Sequence, residues 1–158
     1  MSIEKFYDDK FVKSAVLEIA RQMQIKNFSP DYVVGLSRGG LVPGVLLSHY
    51  LEIPFHALNK DDSNSFIFDD EYDGKKILII DDINDTGETF KKVSTDEATI
   101  GLNYEYCGNN IKLISSSSIK YAALIHNEAS AFESDFCGYT INKAENPEWC
   151  VFPWERWW

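Results

Sequence analysis

Apolar residues recur along the chain in two rhythms, and the rhythms mark out its elements. Between residues 8 and 26, Phe11, Val12, Ala15, Val16, Ile19, Ala20 and Met23 fall three and four residues apart. That spacing predicts an amphipathic helix with its stripe in the core. Ser29-Pro30-Asp31 breaks it. Tyr32 to Leu36 then reads as a short buried strand. A tight loop, Ser37-Arg38-Gly39-Gly40, leads into an apolar helix over 41–51 that begins near Pro43. Phe55 to Leu58 forms a second strand and residues 76–81 a third, and a helix opens from Gly87. Tyr121 to His126 and Phe136 to Ile141 read as a fourth and a fifth strand. Residues 60–73 have no apolar period and hold six acids, which predicts a mobile loop. Residues 95–118 declare neither helix nor strand. Trp149 to Trp158 is aromatic, and Pro147 and Pro153 bar it from helix interiors. Alternating strands and helices predict an α/β fold, a parallel sheet with ligands beyond the carboxyl ends of its strands.

Composition narrows the function classes. A chain of 158 residues, 44% of them apolar, is long enough for one domain with a real core, and 1–158 is expected to be that single domain. The net charge of −10 argues against a general nucleic-acid binder. Cys107, Cys137 and Cys150 are odd in number and form no Cys-x-x-Cys pair, so reduced thiols and no zinc site are expected. No apolar run reaches membrane-spanning length and none resembles a leader, so a cytoplasmic protein without membrane contact is expected.

The most informative stretch is Ile77-Leu-Ile-Ile-Asp81-Asp82-Ile-Asn-Asp85-Thr86-Gly87-Glu88-Thr89. Two acids stand at the carboxyl end of a buried strand, where carboxylates suit sugar hydroxyls or a hydrated Mg²⁺. A turn follows in which the Thr hydroxyls and the amides of residues 85–89 form a ready cradle for a phosphate at a helix start. Paired acids after a strand are often a solvated loop, but the thirteen-residue arrangement is more specific than the pair. Gly35 to Gly40 occupies the same place after the first strand. Its glycines let amides approach an anion closely, and Arg38, one of three arginines in the chain, presents a planar fork suited to phosphate. Neither Gly-x-x-x-x-Gly-Lys-Ser/Thr nor a strand followed by Gly-x-Gly-x-x-Gly is present.

Residues 77–89 closely resemble the phosphoribosyl-pyrophosphate (PRPP) motif of the type I phosphoribosyltransferases. The run Leu36-Ser37-Arg38-Gly39-Gly40-Leu41-Val42-Pro43-Gly44 resembles a loop of the bacterial xanthine-guanine enzymes, and Glu148 to Glu155 looks like their C-terminal hood. The resemblance implies a type I phosphoribosyltransferase-like parallel sheet flanked by helices, with a small hood mainly over residues 128–158. It implies Mg²⁺-dependent transfer of phosphoribose from PRPP to guanine, hypoxanthine or xanthine, with release of pyrophosphate, in a homo-oligomer (dimer or tetramer).

The implied roles follow the motif. Asp81 and Asp82 hold ribose hydroxyls and Mg²⁺. Asp85 bonds the purine N7 and takes or shares its proton. Thr86, Gly87, Glu88 and Thr89 fix the 5′-phosphate. Ser37, Arg38 and Gly39 meet the pyrophosphate, with a cis peptide at Ser37-Arg38, and Lys60 joins from the start of the mobile loop. Trp149 packs on the purine and the Cys150 backbone meets its exocyclic edge, while Trp154, Trp157 and Trp158 read as core or interface aromatics. Three features depart from the family. Asn127 stands about where a lysine ordinarily donates to the purine O6, Asn84 replaces an apolar residue and reads as a loop polar, and the 60–73 loop is acidic. They keep open transfer to adenine or a non-purine base, and a PRPP-binding regulator without turnover.

Overall fold

The computed structural model describes residues 3–59, 75–94 and 119–156. The chain order is β1 (Ile3–Phe6), α1 (Asp9–Ile25), β2 (Tyr32–Ser37), α2 (Leu41–Leu51), β3 (Phe55–Asn59), β4 (Ile77–Asn84), a helix α3 over 88–94, β5 (Ile119–Asn127), β6 (Phe136–Ile141) and β7 (Glu148–Val151). Five strands pair in the order β3-β2-β4-β5-β6, every neighbour parallel. β1 and β7 form a separate parallel pair.

The central strand explains why the sequence reads as it does. Ile77, Leu78, Ile79 and Ile80 are all fully buried. A parallel sheet covered on both faces needs a continuous apolar run rather than an alternating one. One face carries α1, whose Val12, Ala15, Val16, Ile19, Ala20 and Met23 pack with Leu78, Ile80, Leu124 and Phe136. The other face gathers Val34, Leu36, Ile77, Ile79, Tyr121 and Ala123 under Phe90 and Val93 of α3. At the start of α1 the Asp8 carboxylate accepts the Phe11 amide at 2.8 Å, satisfying one of the orphan donors of the first turn.

Strand order places the ligand crevice. From β2 the chain moves outward through α2 to β3; from β4 it moves the other way to β5 and β6. The direction of winding reverses between β2 and β4, and the carboxyl ends of those two strands flank the opening that such a reversal creates. These ends carry Ser37 and residues 81–84.

β4 and β5 run beyond the spans predicted from the sequence, to Asn84 and Asn127. The pair β1 and β7 was not expected at all. Each is four residues long, too short to show a period, and its pairing partner lies at the opposite end of the chain. The predicted loop 60–73 and the stretch 95–118 lie outside the described residues. Among the described residues, no helix is long and apolar enough to cross a membrane.

Candidate active site

A cleft of about 1030 Å³ opens at the carboxyl ends of β2 and β4. It is lined by Ser37, Arg38 and Gly39 on one side, by Asp81 and Asp82 on its floor, and by Asp85, Thr86, Gly87 and Thr89 on the other. Two segments that the sequence separates by some forty residues thus meet around one space large enough for a small ligand. Lys60 lies outside the described residues. Glu88, Asn127, Trp149 and Cys150 are not on the cleft wall.

The 37–40 loop sits directly against the acids. A Cβ on Gly39 would strike the Asp82 carboxylate, with Oδ1 only 2.6 Å away, so no larger residue fits without moving one or the other. The Ser37-Arg38 peptide is cis, as the resemblance implied. The carboxylates are ordered by their own backbone. Asp81 Oδ1 accepts the Asp82 amide at 2.9 Å, and Asp82 Oδ1 accepts the Ile83 amide at 2.8 Å. Burial nevertheless pushes the Asp82 carboxyl above the ordinary carboxylate range. Hydrogen bonding with Asp81 and from the Ile83 amide opposes the rise, and the charge of nearby Glu155 adds to it.

The 85–87 turn is pinned from behind. Gly87 has φ +90, and a Cβ there would lie 2.6 Å from the Phe132 amide nitrogen, so the turn needs glycine for both conformation and space. The Thr86 carbonyl accepts the Ala131 amide at 2.9 Å. Asn84, which reads in the sequence as a loop polar, is buried. Its amide donates to the Phe132 carbonyl at 2.6 Å and to the Ser134 hydroxyl at 3.0 Å, and its Oδ1 accepts from Ser130 Oγ at 3.0 Å. His126 packs into the same network, with Nδ1 3.1 Å from Ser134 Oγ. A polar residue stands at 84 because it ties the phosphate-type turn to residues 130–134.

Asp85 is held from two directions. Asn127 Nδ2 lies 3.1 Å from both the Asp85 carbonyl and Asp85 Oδ1, donating to each. Lys143 Nζ donates to Asp85 Oδ2 at 2.8 Å. Asn127 Oδ1 in turn accepts the amides of Ala129 at 3.2 Å and Lys143 at 3.0 Å. A primary amide has two N–H donors and two acceptor sites, so all four are engaged inside the protein. In this structure the Asn127 side chain, expected at the base, bonds Asp85 and the amide of Lys143. The Lys143 ammonium also lies 5.8 Å from the centre of the exposed Trp149 ring. Cys150 is buried, with its backbone in register with Lys5 of β1, and burial pushes its thiol up to about 11.

Lys143, Trp154 and Glu155 escaped the sequence reading as site residues. Trp154 stacks on Phe152, centroids 5.0 Å apart, which fits the core role expected of it, yet it also lines the cleft beside Glu155. A usable signal existed for Lys143. It follows the fifth strand by two residues, and strand carboxyl ends are where ligand-facing residues emerge in such sheets.

A phosphoribosyl transferase domain model matches residues 2–156, and the chain belongs to that family of enzymes. Its fold is similar to a purine phosphoribosyltransferase from Pyrococcus horikoshii, with 25% identity, a TM-score of 0.71, and coverage of 97% of this chain and 94% of that one. It is also similar to a xanthine-guanine-hypoxanthine phosphoribosyltransferase from Helicobacter pylori, with 21% identity, a TM-score of 0.65, and coverage of 96% and 93%. A Neisseria gonorrhoeae protein solved with bound ppGpp shares the fold at 18% identity, a TM-score of 0.69, and coverage of 99% and 91%.

Proposed function

We propose that this phosphoribosyltransferase moves the 5-phosphoribosyl group of PRPP to a 6-oxopurine and releases pyrophosphate. The observation that carries this reading is the position of Asp85. It stands on the wall of the anion-lined cleft and, at 2.8 Å from its carboxylate, meets the only ammonium group that also neighbours Trp149 among the described residues. One carboxylate thus stands on the cleft wall and is tied through Lys143 to an exposed aromatic ring, which supports the reading.

The chemistry is a displacement at the anomeric carbon. A purine ring nitrogen forms a bond to C1 of the ribose as the bond to the pyrophosphate oxygen breaks, through a transition state that gathers positive charge on the sugar. The protein's part is positioning and charge stabilisation. Asp81 and Asp82 bind the ribose hydroxyls from the cleft floor. The amides and hydroxyls of Thr86 to Thr89 seat the 5′-phosphate. Arg38, whose guanidinium has no hydrogen-bonded partner among the described residues, meets the leaving pyrophosphate. Asp85 accepts the proton of the purine imidazole ring.

The donor set also fits Mg²⁺. This ion keeps several waters and uses one or two carboxylates together with substrate phosphates, rather than a closed protein cage. Asp81 and Asp82 supply such a pair, and a bound cation would favour the ionised form of Asp82 that burial disfavours. Bound there, Mg²⁺ would neutralise charge on the pyrophosphate. Calorimetric titration of PRPP with Mg²⁺ and with EDTA, followed by chromatography for IMP after adding hypoxanthine, tests the reading. Mg²⁺-dependent binding and IMP formation are expected. Binding without any nucleotide product would favour a regulator instead, and equal or absent binding in both buffers would remove the PRPP site.

A further inference from the structure

We propose that Tyr7 is a positioning residue for the base: through its hydrogen bond to Glu148 it fixes the angle at which β7 presents Trp149. The inference rests on the transferase reading above, with Trp149 packed on the purine, and gives the far end of the chain a part in base binding.

The pair β1 and β7 stands apart from the main sheet. Each strand has four residues, and among the described residues each has the other as its only strand partner. A two-stranded unit holds its shape poorly without side-chain anchors. Side chains alternate along a strand, so residues 148 and 150 face one way and Trp149 the other. The contacts follow that alternation. The Tyr7 hydroxyl donates to Glu148 Oε1 at 2.7 Å, and the Cys150 thiol lies 3.7 Å from the same oxygen. Tyr7 and Cys150 are buried, whereas Trp149 is 56% exposed.

Tyr7 is itself held firmly. Its ring packs against Phe11 and Phe152, with centroids 4.4 and 5.8 Å away, and its amide donates to the Val151 carbonyl at 2.9 Å. Phe11 sits in the first turn of α1, which packs on the main sheet. One phenol thus links the body of the fold to the strand that carries Trp149, across 141 residues of sequence. The acceptor is a carboxylate, which makes the bond a strong one, and burial leaves little water to replace it. Lys5 Nζ lies 3.9 Å from the other carboxylate oxygen and is half exposed, so it adds only a loose ion pair. Without the Tyr7 bond, β7 is free to turn about its axis. That turn moves Trp149 and leaves the anion-binding cleft as it is, since Tyr7, Glu148 and Trp149 do not line it.

Tyr7→Phe keeps the ring and its packing and removes only the hydroxyl. Calorimetry measures Kd for GMP, which carries a base, and for ribose 5-phosphate, which does not. The proteins compared are wild type, Tyr7→Phe, Glu148→Ala, the double variant and Glu148→Gln. Tyr7→Phe is expected to raise Kd for GMP by about 10-fold, the lower end of the scale for a hydrogen bond to a charged group, and to leave ribose 5-phosphate unchanged. KM for guanine should rise with it while KM for PRPP stays. Glu148→Ala should match Tyr7→Phe, and the double variant should lose no more than either single one, as expected of two residues acting through one contact. Glu148→Gln, which keeps an acceptor for the phenol, should recover most of the loss. Equal losses for GMP and ribose 5-phosphate, additive losses in the double variant, or an unchanged GMP affinity in Tyr7→Phe would each overturn the role of Tyr7 while leaving the transferase reading intact. A wild type that makes no nucleotide from guanine or hypoxanthine and binds GMP no better than ribose 5-phosphate would overturn both.

Discussion

Asn127→Ala isolates what the buried amide contributes. In the folded chain it donates to Asp85 twice at 3.1 Å and accepts the amides of Ala129 at 3.2 Å and Lys143 at 3.0 Å. The residue is only 5% exposed, so water replaces these bonds poorly. A typical intramolecular hydrogen bond contributes about 0.5–1.5 kcal/mol net, and four of them give roughly 2–6 kcal/mol. The distances lie at the long end of the usual range, and Asp85 is partly open to solvent. The lower half of that interval, about 2–4 kcal/mol, is therefore expected. Urea unfolding followed by tryptophan fluorescence measures it, with a lower midpoint and an unchanged slope as the signature of lost stability. A loss below about 1 kcal/mol would mean that these bonds exchange freely with water. It would return Asn127 to the list of residues able to read the base.

Four further outcomes follow from the same geometry. Asp85→Asn should leave PRPP affinity largely intact in calorimetry and slow turnover by roughly 10²-fold or more, the scale of a lost acid-base group; an unimpaired rate would remove Asp85 from the chemistry. Arg38→Ala should weaken PRPP far more than ribose 5-phosphate, since only PRPP carries pyrophosphate, and equal losses in the two titrations would move Arg38 elsewhere. Gly87→Ala forces a side chain into positive φ and against the Phe132 backbone; it should lower both the urea midpoint and the affinity for ribose 5-phosphate, and a protein unchanged in both would contradict the turn's role. Cys150, with its thiol pushed up to about 11, stays protonated at pH 8 and gains thiolate only as pH approaches that value. Mass-spectrometric mapping should therefore find it slow to alkylate with iodoacetamide at pH 8; labelling as fast as an exposed thiol's would contradict the burial.

Much of the fold was legible because its signals are local. The stripe of α1, the apolar run of β4 and the glycine-bearing turns each lie within a window of twenty residues. The motif at 77–89 was legible for the same reason: strand, acids and phosphate turn are consecutive, and the strand order then brings the 37–40 loop to them. What escaped depends on distant chain segments meeting. β1 pairs with β7 across nearly the whole chain, and four exposed residues announce nothing. Asn84 looks like a loop polar until residues 130–134 fold against it and use its amide and carbonyl. Asn127 occupies the strand end where a base-reading residue was expected, yet the turn bearing Ala129 and Lys143 takes its oxygen and Asp85 takes its donors. Lys143 belongs to no motif, and its meaning arises only from the 2.8 Å contact with an acid 58 residues earlier. The contribution of Lys60 falls on residues outside those described.

The most direct test of the central claim is pyrophosphate release from PRPP by the purified chain, measured with guanine, hypoxanthine, xanthine and adenine in turn, each with Mg²⁺ and with EDTA. Mg²⁺-dependent release is expected, with the highest kcat/KM for guanine or hypoxanthine and the lowest for adenine. Adenine as the best substrate, or no release with any of the four bases, would contradict the central claim.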